Sequence, residues 1–390
     1  MLASLNANER NRIYKRATKL RNATTPSRRR PKKSRRHTDW ETTEDAGDRP
    51  QPVRQKNGSL DDWALRVLAD DEAALREQLA TDETLREAIV IGAGPGACDV
   101  RIGGERVVCS LVAELRRRQQ TSLAVGDRVL VRDANGAFVV ERVLPRTSQL
   151  ARQDPHNPHR ERVVAANIDT VVIVTTLAQP PLLTGLIDRF LIAIERGGAR
   201  AMICANKIDL CTEAEREHEL AKLAAYRDRG LRILACSATT GAGLADLSHA
   251  LEGQVCAFVG KSGAGKSSLL NALLGREAIP AGDVRTTDGK GKHTTTRATL
   301  HELPEGTRII DTPGIRSMGL APLAVRDIAR YFPEIALWAD GCKFRDCTHT
   351  REPDCKVRLA VHEGRLAHAR WIGYLRILGA DPTDPAPESR

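Results

Sequence analysis

The eight residues Gly260–Ser267, GlyLysSerGlyAlaGlyLysSer, constrain this chain more than any other stretch. They follow the apolar run GlnValCysAlaPheVal (254–259) and precede SerLeuLeuAsnAlaLeuLeu, the order strand, glycine-rich loop, helix start. Such a turn aims several backbone N–H groups and the positive end of a helix dipole at one phosphate-sized volume. Gly260, Lys261, Ser262, Gly263, Ala264, Gly265, Lys266, Ser267 and Ser268 therefore form a candidate phosphate cradle. Lys266 is expected to reach the β- and γ-phosphates, and the Ser267 hydroxyl to ligate Mg2+. The competing reading, an ordinary glycine turn, leaves the strand-loop-helix setting unexplained.

A phosphate cradle does not choose a base. AsnLysIleAsp, residues Asn206, Lys207, Ile208 and Asp209, ends another apolar run, AlaArgAlaMetIleCysAla (199–205). A carboxylate at Asp209 can accept two hydrogen bonds from guanine N1 and N2, and adenine offers no such pair. Asn206 and Lys207 would brace the loop and cover the base. A plain strand-to-helix turn also explains four such residues, but Ser237 and Ala238 follow the next strand, ArgIleLeuAlaCys (232–236), and supply a second loop with an N–H for guanine O6. AspThrProGly, Asp311 to Gly314, ends the strand ThrArgIleIle (307–310), so Asp311 can hold Mg2+ through water and the Gly314 N–H can meet the γ-phosphate. Between this motif and the phosphate loop lies GlyLysGlyLysHisThrThrThrArg (289–297), in which Thr295 or Thr296 is expected to complete the Mg2+ shell. Ile315 stands where many GTPases carry a water-orienting Gln, so slow intrinsic hydrolysis is expected and His293 is the candidate for positioning water. The alternative for His293 is a surface-loop bystander.

The order of these motifs is itself informative. AsnLysIleAsp and SerAla precede the phosphate loop, whereas an ordinary GTPase has them after it, which predicts circular permutation. The segment after AspThrProGly is then attached directly to a nucleotide-sensitive loop.

That segment contains Cys342, Cys347, His349 and Cys355 within 14 residues. Three thiolates and an imidazole fill a tetrahedral zinc shell with no open position, which predicts a structural site. Four unrelated reduced side chains, or a disulfide, is the alternative. The remaining cysteines, Cys98, Cys109, Cys204, Cys211, Cys236 and Cys256, are scattered and predict no disulfide framework. A single basic amphipathic helix is expected over about 357–378.

The rest of the chain supplies context. From 87 to 146, short alternating stretches such as GluArgValValCysSerLeuVal and AspArgValLeuValArg, separated by GlyGly, GlyAsp and AsnGly, predict a small all-β barrel. An OB-fold fits, with an SH3-like barrel as the alternative. IleValIleGlyAlaGlyProGlyAla (89–97) mimics a dinucleotide-binding fingerprint, but alternating residues and a turn follow it where that fingerprint needs a helix. Residues 59–84 carry Leu60, Trp63, Val67, Leu75 and Leu79 at near-helical spacing, which predicts one or two acidic amphipathic helices. Residues 1–58, with ArgArgArgProLysLysSerArgArg at 28–36, read as a disordered arm that either aids solubility or binds RNA phosphates. The net charge of +10 favours a polyanionic partner, no apolar run approaches a membrane span, and no secretory signal opens the chain, so a cytoplasmic location is expected.

Barrel, AlaAsnIleAsp (166–169), permuted motifs, HisThrThrThr and the Cys/Cys/His/Cys spacing together make the chain resemble the ribosome small-subunit-dependent GTPase A family from about 87 to 378. The resemblance implies a multidomain chain: an all-β OB-fold at 85–147, a circularly permuted α/β P-loop GTPase domain at 148–335, and a small α-helical zinc-binding domain at 336–390; the arm and helical segment at 1–84 are read from the residues alone. It implies GTP and GDP, Mg2+ and one structural Zn2+ as ligands. Further implications are the 30S subunit and its rRNA as partner, hydrolysis stimulated by that subunit, and a late role in its maturation. A monomer is expected. The alternatives are a nucleotide-gated RNA chaperone with incidental hydrolysis, or a permuted GTPase with a non-ribosomal partner. The long N-terminal segment and Lys261, where the family often has Gln, depart from the pattern.

Overall fold

The computed structural model describes residues 13–20, 60–94, 96–113, 115, 123–154, 157–275, 298–311 and 325–380. The chain divides into two compact units near residue 84.

In the first unit, helix α1 (13–20) pairs with α2 (Leu60–Thr81). Ile13 and Ala17 bury against Trp63, Ala64, Val67 and Leu68, and Arg16 makes a two-point ion pair with Asp71 at 2.7 and 2.8 Å. Residues 13–20, inside the stretch expected to be a disordered arm, are thus helical because α2 offers them an apolar stripe.

The second unit begins with β1 (Leu85–Ala93), β2 (Ala97–Ile102), β3 (Glu105–Leu111), β4 (Arg128–Ala134) and β5 (Ala137–Val143). Their order β1-β2-β3-β5-β4 closes through β1–β4, with β3 and β5 parallel, a five-stranded OB-like barrel. Ala88, Val90, Cys98, Val100, Cys109, Val129, Val131 and Val140 fill it. The apparent dinucleotide fingerprint is the β1–β2 hairpin, as its alternation required.

Next comes a hairpin that no regular alternation marks, β6 (Gln149–Asp154) and β7 (Asn157–Ala166). The parallel sheet then alternates with helices: β8 (Thr170–Thr176), α3 (Thr184–Arg196), β9 (Arg200–Asn206), α4 (Glu213–Ala221), α5 (Ala224–Asp228), β10 (Arg232–Ala235), α6 (Leu244–Leu251), β11 (Val255–Gly260), α7 (Lys266–Leu274), β12 (Thr299–Glu302) and β13 (Arg308–Asp311). Strand order is β10-β9-β8-β11-β13-β12, parallel except for β12. Strand β8 is buried on both faces: Val171 and Ile173 pack toward α3, Val172 and Val174 toward α6 and α7.

Barrel and sheet are fused. Strand β1 meets β12 at Gly92 and Thr299, and Ile89 and Ile91 leave the barrel to join the core beneath β8. Gly126 sits so close to the Ala166 carbonyl that a Cβ would lie 2.1 Å from it, and its φ of +90° suits glycine. Asn167, of the AlaAsnIleAsp stretch, donates to the Gly126 carbonyl at 2.8 Å and accepts from the Thr147 N–H at 2.9 Å.

The chain closes with α8 (Val325–Ile328), α9 (Pro333–Ala339), α10 (Lys356–His362) and α11 (His368–Leu378). The single helix expected over 357–378 is two helices, because Gly364 adopts a φ of +69° and turns the chain between them. Phe332, Ile335, Val357, Ala360, Trp371 and Tyr374 form their core, together with Ile192 of α3.

Candidate functional site

The phosphate loop joins β11 to α7 in the expected way. Gly260, Gly263 and Gly265 hold φ values of +150°, +79° and +85°. A Cβ at Gly260 would lie 2.1 Å from the Val174 carbonyl, and one at Gly265 would lie 2.3 Å from Asn206 Nδ2, so both positions need glycine for space as well as conformation. Lys266 folds back over the loop, its Nζ donating to the carbonyls of Gly260 at 2.7 Å and Lys261 at 3.0 Å. Ser267 and Ser268 occupy the first turn of α7.

Asn206 brings the motifs together. It is 1% exposed at the end of β9; its Nδ2 donates to the Ala264 carbonyl at 2.9 Å and its Oδ1 accepts from the Ala238 N–H at 3.2 Å. The Ala238 N–H, expected to be available to guanine O6, donates to Asn206. The Ile208 N–H donates to the Cys236 carbonyl at 3.2 Å, and Ser237 Oγ accepts from the Thr240 N–H at 3.1 Å. Lys207 sits at a φ of +65°, which turns the chain sharply and leaves Asp209 exposed. Lys207 Nζ donates to the Gln179 carbonyl at 3.0 Å. No local sequence motif marks Gln179 and the segment around it.

Asp311 ends β13, beside the phosphate loop on the parallel neighbour β11. Burial raises its carboxyl above the usual carboxylate range, against the pull of His301 and Lys266. An acid held in this way favours a cation partner. His293, Thr295, Thr296 and Gly314 lie outside the described residues.

In the C-terminal helical domain, the ligand atoms of Cys342, Cys347, His349 and Cys355 all lie within 4.8 Å of one another. Cys342 Sγ and Cys355 Sγ are 3.9 Å apart, and each is 3.6 Å from His349 Nδ1. A tetrahedron with metal–sulfur bonds of about 2.3 Å has edges of about 3.8 Å, so the set fits a closed structural metal site. Burial pushes the Cys347 and Cys355 thiols up and the His349 imidazolium down. Gathered thiols of this kind need a cation to ionise. Around them, Trp371 Nε1 donates to the His349 carbonyl at 3.0 Å and the Tyr374 hydroxyl to the Thr348 carbonyl at 3.0 Å. Glu352 accepts from the Thr348 and Thr350 N–H groups at 2.6 and 3.0 Å. None of the nine cysteines forms a disulfide. Among the described residues no helix is long and apolar enough to cross a membrane.

Comparison with known proteins agrees with this geometry. Residues 143–321 match the model of the RsgA GTPase family. The chain is 42% identical over 267 residues to a protein of Vibrio vulnificus named small ribosomal subunit biogenesis GTPase RsgA 1, covering 67% of this chain and 75% of the relative. It is 40% identical over 300 residues to the RsgA of Sodalis glossinidius, covering 75% and 85%. Among solved structures, YjeQ from Thermotoga maritima superposes with a TM-score of 0.61 at 31% identity, over 76% of this chain and 98% of that one. YloQ, described as a circularly permuted GTPase, superposes with a TM-score of 0.58 at 26% identity, over 78% and 97%. With its OB-like barrel, its permuted nucleotide motifs gathered by Asn206 and its C-terminal Cys/His cluster, this chain belongs to the RsgA GTPase family.

Proposed function

We propose that this GTPase serves biogenesis of the small ribosomal subunit: it binds GTP at the loop Gly260–Ser268, engages the 30S subunit through its rRNA, and leaves when GTP is hydrolysed. The observation that carries the reading is the joining of phosphate loop, AsnLysIleAsp and SerAla by the single buried side chain of Asn206, in a chain whose relatives are named for that process.

Asp209 accepts from guanine N1 and N2, Lys207 covers the base face, and the loop of Ser237 and Ala238 borders O6. Backbone N–H groups from Gly263 to Ser267 cradle the phosphates, and Lys266 swings from its carbonyl partners to the β/γ-phosphates. Ser267 and Asp311, with Thr295 or Thr296, would hold Mg2+, which supplies charge neutralisation on the phosphates. The Gly314 N–H meets the γ-phosphate, and His293 orients the attacking water in place of the Gln that Ile315 displaces. The Cys342, Cys347, His349 and Cys355 set would hold Zn2+, which would supply folding free energy to the loop. RNA is the polyanion that matches the net charge of +10. The protein acts as a cytoplasmic monomer.

Co-sedimentation with purified 30S subunits tests the cycle. Retention with a non-hydrolysable GTP analogue and release with GDP supports it. Equal retention with both nucleotides, or none with either, contradicts it.

A further inference from the structure

Helix α3 lies between the nucleotide motifs and the C-terminal domain. At its N-terminal end, residues 176–183 pack on the phosphate loop. A Cβ on Gly263 would sit 3.8 Å from Pro180 Cδ, Lys207 holds the Gln179 carbonyl, and the Thr176 hydroxyl donates to the Pro180 carbonyl. Leu186, Ile187 and Phe190 of α3 line one small cavity together with Lys261 and Ala264.

The other face of α3 carries Asp188. Its Oδ1 accepts from Arg370 Nη1 at 2.5 Å and from the Tyr226 hydroxyl at 2.9 Å. Arg370, on α11, also donates from Nε to Glu334 at 2.6 Å and lies 4.5 and 5.0 Å from the ring centres of Tyr226 and Phe332. The Asp188 and Arg370 side chains are 1% and 5% exposed. Close approach requires Gly373, where a Cβ would lie 2.6 Å from Asp188 Oδ2.

Stability alone does not select such a pair. Apolar residues of similar volume usually stabilise a protein core at least as well as a buried ion pair does. Here Asp188 Oδ2 and Arg370 Nη2 are buried without a hydrogen-bond partner among the described residues. Unmet bonds in a low-dielectric interior are costly, so a shift of α3 against α11 that lets these atoms pair recovers part of what the shift itself costs. Arg370 also adjoins Trp371, whose indole holds the His349 carbonyl of the Cys/His cluster. A displacement of Arg370 is thus a displacement of that cluster.

We propose that Asp188 and Arg370 are a positioning pair that carries nucleotide state from the phosphate and guanine loops, through α3, to the metal-binding domain. The inference rests on the nucleotide site proposed above. By linkage, whatever engages the C-terminal domain then changes nucleotide affinity through the same pair.

The test uses the full-length, metal-loaded protein. The chain has four tryptophans, Trp40, Trp63, Trp338 and Trp371, so Trp40→Phe with Trp63→Phe leaves emission from the C-terminal domain alone. GDP and a non-hydrolysable GTP analogue are titrated in, and calorimetric heat and tryptophan emission are read together. The expected result is that both nucleotides bind and give different emission. Arg370→Met should remove most of that difference, with affinities within about threefold and metal content unchanged. Should Arg370→Met lose its metal, Asp188→Asn serves instead: it keeps the volume and the Tyr226 bond, removes only the charge, and should abolish the difference equally. Binding with no emission difference in the parent, or a difference that survives in the metal-replete variant, overturns the inference. Absence of any binding heat overturns the nucleotide site, and the inference with it.

Discussion

Asn206 Nδ2 donates to the Ala264 carbonyl at 2.9 Å, so one side chain fixes the distance between the guanine loop and the phosphate loop. Its other end holds the Ala238 N–H. One side chain thus ties the three loops together through bonds made within the chain itself.

Replacing Asn206 with Ala leaves the buried Ala264 carbonyl without this partner, at about 1–3 kcal/mol for an unsatisfied buried group, and frees the half-buried Ala238 N–H. GTP affinity should fall by at least about tenfold, with the secondary structure intact, in an isothermal titration. Unchanged affinity would remove Asn206 from the site.

The seam between barrel and sheet rests on a second buried side-chain pair. Arg146 reaches Asp127 at 2.7 and 2.9 Å, and the two side chains are 9% and 0% exposed. Asp127 also accepts from the Ala124 N–H at 2.7 Å. Arg146→Met leaves a carboxylate buried without its cation, which should lower unfolding stability by about 3–5 kcal/mol. Arg106→Met, at a pair with its arginine 69% exposed, should cost less than about 1 kcal/mol. Urea unfolding compares them, and equal costs would refute the distinction.

Removing the metal should unfold the Cys/His loop, residues 342–355, and loosen the helical core it packs on, since the loop has few apolar residues of its own and metal binding supplies folding free energy. One metal ion per chain by elemental analysis, and a lower melting temperature after chelation, are expected. Cys355→Ser should reproduce the effect without chelator. A metal-free protein that melts like the untreated one would contradict a structural site.

The water-positioning role proposed for His293 predicts that His293→Ala loses most of the subunit-stimulated turnover while binding GTP normally. Single-turnover hydrolysis beside nucleotide titration checks it. Full stimulated turnover in the variant would reassign His293 as a bystander.

Much of the site was legible because its signals are local. The glycines of 260–265 and the lysine and serine after them lie within one turn, so spacing alone conveys their geometry. Strand alternation showed the barrel, and its failure to lead into a helix dismissed the fingerprint at 89–97. The parts that were not legible depend on distant partners. Asp188 reads as one more charge on an amphipathic helix until Arg370, 182 residues later, closes over it. Strands β6 and β7 were obscured because prolines and charges interrupt their alternation and each pairs chiefly with the other. Residues 13–20 looked like part of a basic arm because the stripe that orders them, on α2, lies beyond the arginine-rich stretch.

GTP hydrolysis by the purified protein alone, with 30S subunits and with 50S subunits tests the central claim most directly. Slow turnover alone, strong stimulation by 30S and none by 50S is the predicted result. Stimulation by neither subunit, or equally by both, would contradict a role on the small subunit.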